Sequence, residues 1–246
     1  MKTFIVIPTY NEAAHIERLI KATLKQVLHV TIVVVDDHSP DGTWKKVGRL
    51  SRRYRGKVVL LLRTKSRGRG SAGIDGFTYA LGHGAEVVVE MDADFSHHPR
   101  YLPTMLREIE FHDVVVGSRF VAGGKDTRGF YRRCITTLGN FYIRTVLGLR
   151  IRDCTSGYRV FRRTVLEAIR WDMLISSGPS IVQEILYKAG LLGFRIKEVP
   201  IVFVDRRQGN SKFNGKILLQ GILMVLVLRF MASDVWKAEV TKNGST

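Results

Sequence analysis

Short apolar runs alternate with segments of helical spacing along the first half of the chain. Phe4 to Pro8 and Thr31 to Val35 are runs of strand length, and between them apolar residues recur at intervals of three and four, as on a helix with one buried face. The other predicted strands are 57–62, 85–91 and 113–117. The other predicted helices in this half are 44–54, one that carries Ala72, Phe77, Ala80 and Leu81, and 99–111. This alternation predicts a mostly parallel α/β sheet with helices on both faces.

The second half is less regular. The pattern predicts helices over 132–147, 163–171 and 180–189, followed by a strand over 194–204 that Pro200 interrupts. Ile217 to Ala232 is then almost entirely apolar, but it is shorter than the roughly 20 residues that a membrane-spanning helix needs. Two interpretations remain open for it: a helix of the core, or an amphipathic helix lying in a membrane interface.

Composition narrows the classes of protein. A chain of 246 residues fits a single α/β domain, and its two cysteines, Cys134 and Cys154, are best explained as packing residues in a reducing compartment. The first apolar run is too short for a signal peptide. The net charge of +17 favours an anionic partner, which is nucleic acid, a membrane surface or a phosphorylated substrate. No nucleic-acid-binding motif is recognisable.

Two carboxylates follow the fourth predicted strand. Asp92 and Asp94 are two residues apart, so they share one face of an extended segment and converge at the carboxyl end of the strand. Oxygen ligands of this kind suit Mg²⁺ or Mn²⁺, and such an ion can neutralise a departing diphosphate. An ordinary acidic turn before a helix starting at Pro99 explains the same residues.

A basic loop with two glycines, Arg63 to Gly70, precedes the next helix. Positive side chains beside a helix N-terminus suit a phosphate, although a solvated surface loop accounts for them equally. Ser71 is the candidate N-cap of this helix.

Five motifs, in this order, support a resemblance to a known family. They are Pro8-Thr-Tyr-Asn-Glu12, Asp36-Asp37-x-Ser-Pro-Asp-Gly-Thr43, Met91-Asp-Ala-Asp-Phe-Ser-His-His-Pro99, Gly117-Ser-Arg119 and Glu198-Val-Pro-Ile-x-Phe-Val-Asp-Arg206. Together they resemble the family-2 glycosyltransferases, and most closely the dolichol-phosphate mannose synthases, over residues 4–213. The resemblance implies a GT-A fold, with a catalytic domain over 1–213 and a short apolar helix and polar tail over 214–246.

The resemblance also implies roles for single residues. Those expected at the nucleotide-sugar donor are Pro8, Tyr10, Glu12, Val35, Asp37, Ala93 and Lys212. Those expected to hold the metal are Asp92, Asp94 and Ser96, and those expected at the acceptor phosphate are Arg119, Arg132, Arg133 and Arg206. Asp94, Arg119 and Arg206 are the expected catalytic residues. One departure stands out, since the family's glycine loop commonly reads Gly-Leu-Gly and this chain has Gly68-Arg69-Gly70.

The implied reaction is the inverting transfer of mannose from GDP-mannose to dolichyl or another polyprenyl phosphate. A phosphate monoester is largely ionised at neutral pH, so no general base is required. The enzyme is expected at the cytoplasmic face of a membrane, held by its basic surface or by a small membrane-anchoring subunit. The alternatives are a UDP-glucose donor, a nucleotidylyltransferase, or a non-enzymatic basic module that binds RNA or membranes. Carboxylates at the centre of the site disfavour the last, because they would repel phosphate backbones.

Overall fold

The computed structural model describes residues 1–65, 68–176, 178–204 and 219–230. Its strands are β1 (Thr3–Thr9), β2 (Val30–Asp36), β3 (Val58–Leu62), β4 (Val87–Glu90), β5 (Val114–Ser118), β6 (Lys125–Asp126), β7 (Arg159–Arg162), β8 (Ile196–Pro200) and β9 (Val202–Phe203). Its α-helices are α1 (Ile16–Gln26), α2 (Thr43–Arg53), α3 (Arg69–Gly82), α4 (Leu102–Glu108), α5 (Phe130–Leu147), α6 (Arg163–Ala168) and α7 (Ile181–Leu191). Short 3₁₀ turns cover Pro99–Tyr101, Trp171–Met173 and Gly178–Ser180, and residues 219–230 are helical.

Seven strands form one sheet in the order β3-β2-β1-β4-β7-β5-β8. All neighbours pair in parallel except at β7, which runs antiparallel to both β4 and β5. Valine-rich strands such as β4 are buried throughout, as expected where helices cover both faces of a parallel sheet. The predicted mostly parallel sheet is confirmed.

The strand order places a crevice beside β1. The chain moves outwards from β1 to β2 and β3 on one side, and then returns to add β4 on the other. Ligands of open α/β sheets bind at such a switch point, outside the carboxyl ends of the strands. The segments after β1, β2, β4 and β5 all reach this edge of the sheet.

Several predicted helix boundaries were wrong. The structure ends α4 at Glu108 and α6 at Ala168, a few residues before the ends that apolar periodicity indicated. Ser71 is not an N-cap, because α3 begins at Arg69 and is preceded by Gly68 without a side-chain cap. The Ser71 hydroxyl instead binds a guanidinium nitrogen of Arg63 at 2.6 Å. A side-chain contact from the start of the preceding basic loop therefore decided the role of this serine.

The helix over residues 219–230 has two different faces. Val225 and Leu228 are completely buried and join the core cluster that also contains Ile143 of α5. Leu219, Leu223 and Phe230 are exposed. The ends of the predicted stretch, and the boundary at residue 213, lie outside the described residues. Within the described parts of the chain, no helix combines the length and the apolar character needed to cross a membrane.

Candidate active site

Three strained backbone positions mark the edge of the sheet where the crevice lies. Among the described residues, the non-glycine residues with positive φ are Asn11, His38 and Phe95, at 63°, 52° and 63°. They follow β1, β2 and β4, respectively. Such conformations are costly for residues with a side chain and cluster at functional sites. The backbone thus points to the same edge as the topology.

The loop after β2 is held by its two aspartates. Asp36 is completely buried and accepts hydrogen bonds from Thr9 at the end of β1 and from both the amide and the hydroxyl of Ser39. Asp37 accepts from Arg63 at 2.8 Å and from the amide of Gly68 at 2.7 Å. Asp37 therefore fixes the start of the glycine loop in the crevice.

The loop after β4 carries the predicted carboxylates. Asp94 is buried, and its Oδ1 accepts from the amide of Ser96 at 3.0 Å and from the Ser96 hydroxyl at 2.6 Å. The Asp92 amide donates to Nδ1 of His97 at 3.0 Å. Burial lowers the pKa of His97, although the charges of Asp92 and Asp94 oppose this. His97 is therefore a neutral acceptor that shapes the turn.

These residues fit a hard divalent cation. The described part of the chain contains no group of three or more histidine, cysteine, aspartate or glutamate side chains arranged to hold a metal. The oxygens available to such an ion are the carboxylates of Asp92 and Asp94 and the hydroxyl of Ser96, and their role as ligands stays a prediction. Mg²⁺ is commonly bound in this way, through one or two carboxylates with substrate phosphates and water completing its shell.

Arg119 directly follows β5, and together with Arg128 it forms a basic surface that we call the basic wall. The Arg119 guanidinium binds Asp153 through Nε at 2.7 Å and Nη2 at 2.6 Å. Nη2 also donates to the Thr155 hydroxyl at 2.6 Å. Burial alone would lower the pKa of Arg119, but its hydrogen bond with Asp153 raises that pKa above its ordinary value. Asp153 is therefore the buried ion-pair partner of Arg119.

Arg128 extends this wall. Its guanidinium forms a two-point contact with Asp126 and donates to Thr136 of α5 at 2.9 Å. The guanidinium carbons of Arg128 and Arg119 lie 5.0 Å and 5.2 Å from the centre of the Phe203 ring, within the range of cation–π attraction. The Phe203 ring also contacts the His97 ring, with 5.7 Å between their centres. Phe203 and His97 therefore join the basic wall to the acidic loop.

The other predicted site residues are distributed unevenly. Pro8, Tyr10 and Glu12 are partly exposed at the end of β1, whereas the side chains of Val35 and Ala93 are buried in the core. Arg132 and Arg133 are exposed in the first turns of α5. Arg206 and Lys212 lie outside the described residues. The assigned roles of all these residues remain predictions.

Sequence reasoning missed a row of side chains of alternating charge that runs from Asp92 through Arg69 and Glu90 to Arg159. Arg159 pairs with Glu90, Glu90 lies 3.6 Å from Arg69, and Arg69 contacts Asp92 at 2.5 Å. Burial alone would lower the pKa of Arg69, but Asp92 and Glu90 raise it. Charged residues at the ends of valine-rich strands were the available signal. The sequence contained no signal for Arg128, because its place in the site depends on its contact with the ring of Phe203, which is distant in the chain.

A family model confirms the predicted resemblance. The model described as Glycosyl transferase family 2 matches residues 4–170. The chain belongs to glycosyl transferase family 2. Two relatives are similar to it along most of their length. The undecaprenyl-phosphate mannosyltransferase of Micrococcus luteus is 39% identical over 96% of this chain and 97% of its own. The polyprenol monophosphomannose synthase of Mycolicibacterium smegmatis is 37% identical over 91% and 85%.

The fold is also that of a known glycosyltransferase. The crystal structure of glucosyl-3-phosphoglycerate synthase from Mycobacterium tuberculosis, in complex with Mn²⁺, UDP and glucosyl-3-phosphoglycerate, superposes with a TM-score of 0.65. The alignment covers 93% of this chain and 79% of that one at 19% identity. The predicted GT-A architecture of this family-2 chain is therefore confirmed at the level of the fold.

Proposed function

We propose that this family-2 glycosyltransferase transfers mannose from GDP-mannose to a polyprenyl phosphate of the dolichyl or undecaprenyl type, with inversion at the anomeric carbon. The observation that carries the proposal is the arrangement at the carboxyl edge of the sheet. Asp92 and Asp94 stand on one side, Arg119 and Arg128 on the other, and His97 and Phe203 join them. The two relatives named above, which match nearly the whole chain, support the choice of sugar and acceptor.

Electrostatics dominate the chemistry of such a transfer. The acceptor phosphate is already anionic at neutral pH, so it attacks without a general base. The enzyme must instead bring two anionic substrates together. Two-point guanidinium contacts hold phosphates well, and holding both reactants in line contributes up to about 7–11 kcal/mol in well-oriented systems.

The buried aspartate of the basic wall orients it before substrate binds. Asp153 is completely buried and binds Arg119 through both carboxylate oxygens, so the position of the guanidinium is fixed before substrate binds. Asp126 holds Arg128 in the same manner. On the donor side, Asp92 and Asp94 would hold Mg²⁺ or Mn²⁺, with Ser96 as a third oxygen donor. That ion would supply positive charge for the departing nucleoside diphosphate.

The acceptor's lipid tail requires the enzyme to work at a membrane surface. Exposed apolar side chains follow helical spacing on two helices that touch each other through a hydrogen bond from Tyr142 to the carbonyl of Ile222. We call these side chains the apolar face, and they are Phe130, Leu138 and Phe141 of α5 with Leu219, Leu223 and Phe230. Arg132, Arg133 and Arg229 are exposed on the same helices. Apolar stripes flanked by basic residues suit the headgroup region of an anionic membrane.

The direct test supplies the purified chain with a short polyprenyl phosphate and either GDP-mannose or UDP-glucose. Each donor is offered with Mn²⁺, with Mg²⁺ and with chelator, and the glycolipid product and its anomeric configuration are measured. We expect metal-dependent mannolipid of inverted configuration from GDP-mannose. Product from UDP-glucose alone would show that the donor is UDP-glucose and not GDP-mannose. A retained configuration would exclude a single displacement. The absence of any glycolipid would contradict the proposed function.

Variants at the two sides of the site separate their roles. We expect Asp94→Asn to lower kcat by about 100-fold or more, the loss typical when one stabilising group of a transition state is removed. Arg119→Lys keeps the charge but loses the two-point contact with Asp153 that fixes the side chain, so we expect the KM for the lipid phosphate to rise more than that for the nucleotide sugar. Arg52→Leu is the control, because Arg52 is exposed on α2 and outside the site.

A further inference from the structure

The side chain of Arg69 binds Asp92, the first of the predicted metal ligands. Arg69 donates to Oδ1 of Asp92 through Nη2 at 2.5 Å and through Nε at 3.2 Å. The Arg69 and Asp92 side chains are 30% and 24% exposed, so solvent reaches both of them. A guanidinium and a divalent cation therefore have access to the same carboxylate.

The position of Arg69 is built by its surroundings. A Cβ atom on Gly157 would lie only 2.4 Å from Nη2 of Arg69, so the guanidinium rests directly against a backbone without a side chain. Glu90 lies on its other side at 3.6 Å. Glu90 is itself buried and paired with the fully buried Arg159 across neighbouring strands. Asp92 is consequently the principal partner of Arg69.

Helix stability does not explain this arginine. Arg69 is the first residue of α3, whose first turn contains no acidic residue. Cations are unfavourable at a helix N-terminus because the helix dipole places positive charge there. The contact with Asp92 offsets that disadvantage, which indicates that the guanidinium serves the carboxylate rather than the helix.

We propose that Arg69 is an internal counter-ion that competes with the divalent cation for Asp92, so that the enzyme binds the metal tightly only together with a nucleoside diphosphate. This inference rests on the proposed function, and it adds a residue that sets the order and strength of binding. In the free enzyme the guanidinium neutralises Asp92. When a metal binds there, Arg69 loses this partner, and the diphosphate of the donor supplies a new anion beside the same helix N-terminus.

Direct binding of Mn²⁺ to the full-length chain, without turnover, tests the proposal. Mn²⁺ affinity is measured by calorimetry or by electron paramagnetic resonance of the free ion, with and without saturating GDP. We expect weak binding to the unmodified chain alone and much tighter binding with GDP. In Arg69→Leu the affinity without GDP should rise by about 10-fold or more, comparable to the effect of an adjacent opposite charge on the proton affinity of a carboxylate.

Three further variants control for charge and folding. Arg69→Lys keeps the charge without the two-point contact, so its affinity should lie between those of the unmodified chain and Arg69→Leu. Gly157→Ala keeps every charge but displaces the guanidinium, so it should also tighten Mn²⁺ binding in the absence of GDP. Arg52→Leu removes the same charge from an exposed position on α2 and should leave the affinity unchanged. Thermal unfolding in chelator establishes that each variant is folded.

The outcomes separate this inference from the function on which it rests. Unchanged or weaker Mn²⁺ binding in both Arg69→Leu and Gly157→Ala, while the unmodified chain binds Mn²⁺ with GDP, would overturn the role of Arg69 and leave the function standing. An equal gain in Arg52→Leu would also overturn it, because the effect would then be one of net charge. Failure of the unmodified chain to bind Mn²⁺ even with GDP would overturn the role of Arg69 by removing the metal site, and the glycolipid assay would still decide the function separately.

Discussion

Cys154 illustrates how burial controls a single reactive group. Its side chain is completely buried, and its thiol donates to the carbonyl of Ile151 at 3.7 Å. Burial, together with the charges of Asp153 and Glu198, raises its pKa to about 12. Only the thiolate reacts with alkylating agents. Cys154 is therefore protected both by its lack of solvent access and by its protonated state.

We therefore expect Cys154 to resist iodoacetamide at pH 8 in the folded chain. In a Cys134→Ser background, labelling should be at least about 100-fold slower than in denaturant, since the thiolate fraction falls tenfold for each unit by which the pKa exceeds the pH. Mass spectrometry of quenched samples measures both rates. Equal rates in the folded and unfolded chain would contradict the interpretation of Cys154 as an inert packing residue.

At the scale of the element, α7 carries a buried ion pair. Glu184 and Lys188 are one turn apart, both completely buried, and joined at 2.9 Å. Glu184 accepts the amides of Ile175 and Ser176, and Lys188 donates to the carbonyl of Met173. The pair therefore fastens the segment before α7 to the helix itself.

We expect Glu184→Ala to lower the free energy of unfolding by about 3–5 kcal/mol, because it removes the carboxylate that pairs with a buried ammonium. Glu167→Ala is the matched control. It breaks the Arg163–Glu167 pair, which has the same spacing but lies on the surface of α6, and such pairs contribute less than about 1 kcal/mol. Urea unfolding followed by circular dichroism measures both, and equal losses would refute the distinction.

The packing of α3 on the sheet depends on the absence of a side chain. A Cβ on Gly76 would lie 2.3 Å from Val6 and 3.1 Å from Val35, so the helix approaches β1 and β2 more closely than alanine allows. Gly76→Ala should cost about 1–3 kcal/mol by overpacking. Gly82→Ala in the same helix meets nothing within 4 Å and should change stability by less than about 0.5 kcal/mol. An unchanged free energy of unfolding in Gly76→Ala would mean that α3 can shift to make room for the methyl group.

At the scale of the whole molecule, the proposed membrane surface combines the net charge of +17 with the apolar face. Each basic residue near an anionic bilayer contributes about 1 kcal/mol, and inserted apolar side chains add a term that salt does not screen. We expect the chain to co-sediment with phosphatidylglycerol vesicles, to bind phosphatidylcholine vesicles less, and to lose part of its binding in high salt.

A matched pair of leucines tests which surface binds. Leu223→Ser alters the apolar face and should weaken vesicle binding by about tenfold, because burying a leucine contributes roughly 1.5–3 kcal/mol. Leu28 is equally apolar and 65% exposed, but it lies before β2, so Leu28→Ser should have no effect. Equal effects of the two substitutions would argue against the apolar face as the membrane surface.

The fold and half of the candidate site were readable from local sequence. Strand-length apolar runs and helical spacing determine the order of elements, since each depends on residues close in the chain. The sequence also placed Asp92 and Asp94 after the fourth strand, but not on one extended segment as predicted, because β4 ends at Glu90 and the chain bends at Asp94. The antiparallel placement of β7 between β4 and β5 was not readable, because pairing partners are chosen by packing across the whole domain.

By itself, the sequence determined an α/β domain of glycosyl transferase family 2, with its carboxylates at the end of the fourth strand and arginines downstream. Only the tertiary structure decided which charge meets which. Asp153 pairs with Arg119, Arg69 with Asp92, and Phe203 lies between two guanidinium groups. These contacts join residues distant in the chain, and the free energy of an ion pair depends on distance and burial. Neither quantity exists until the sheet and its loops have assembled.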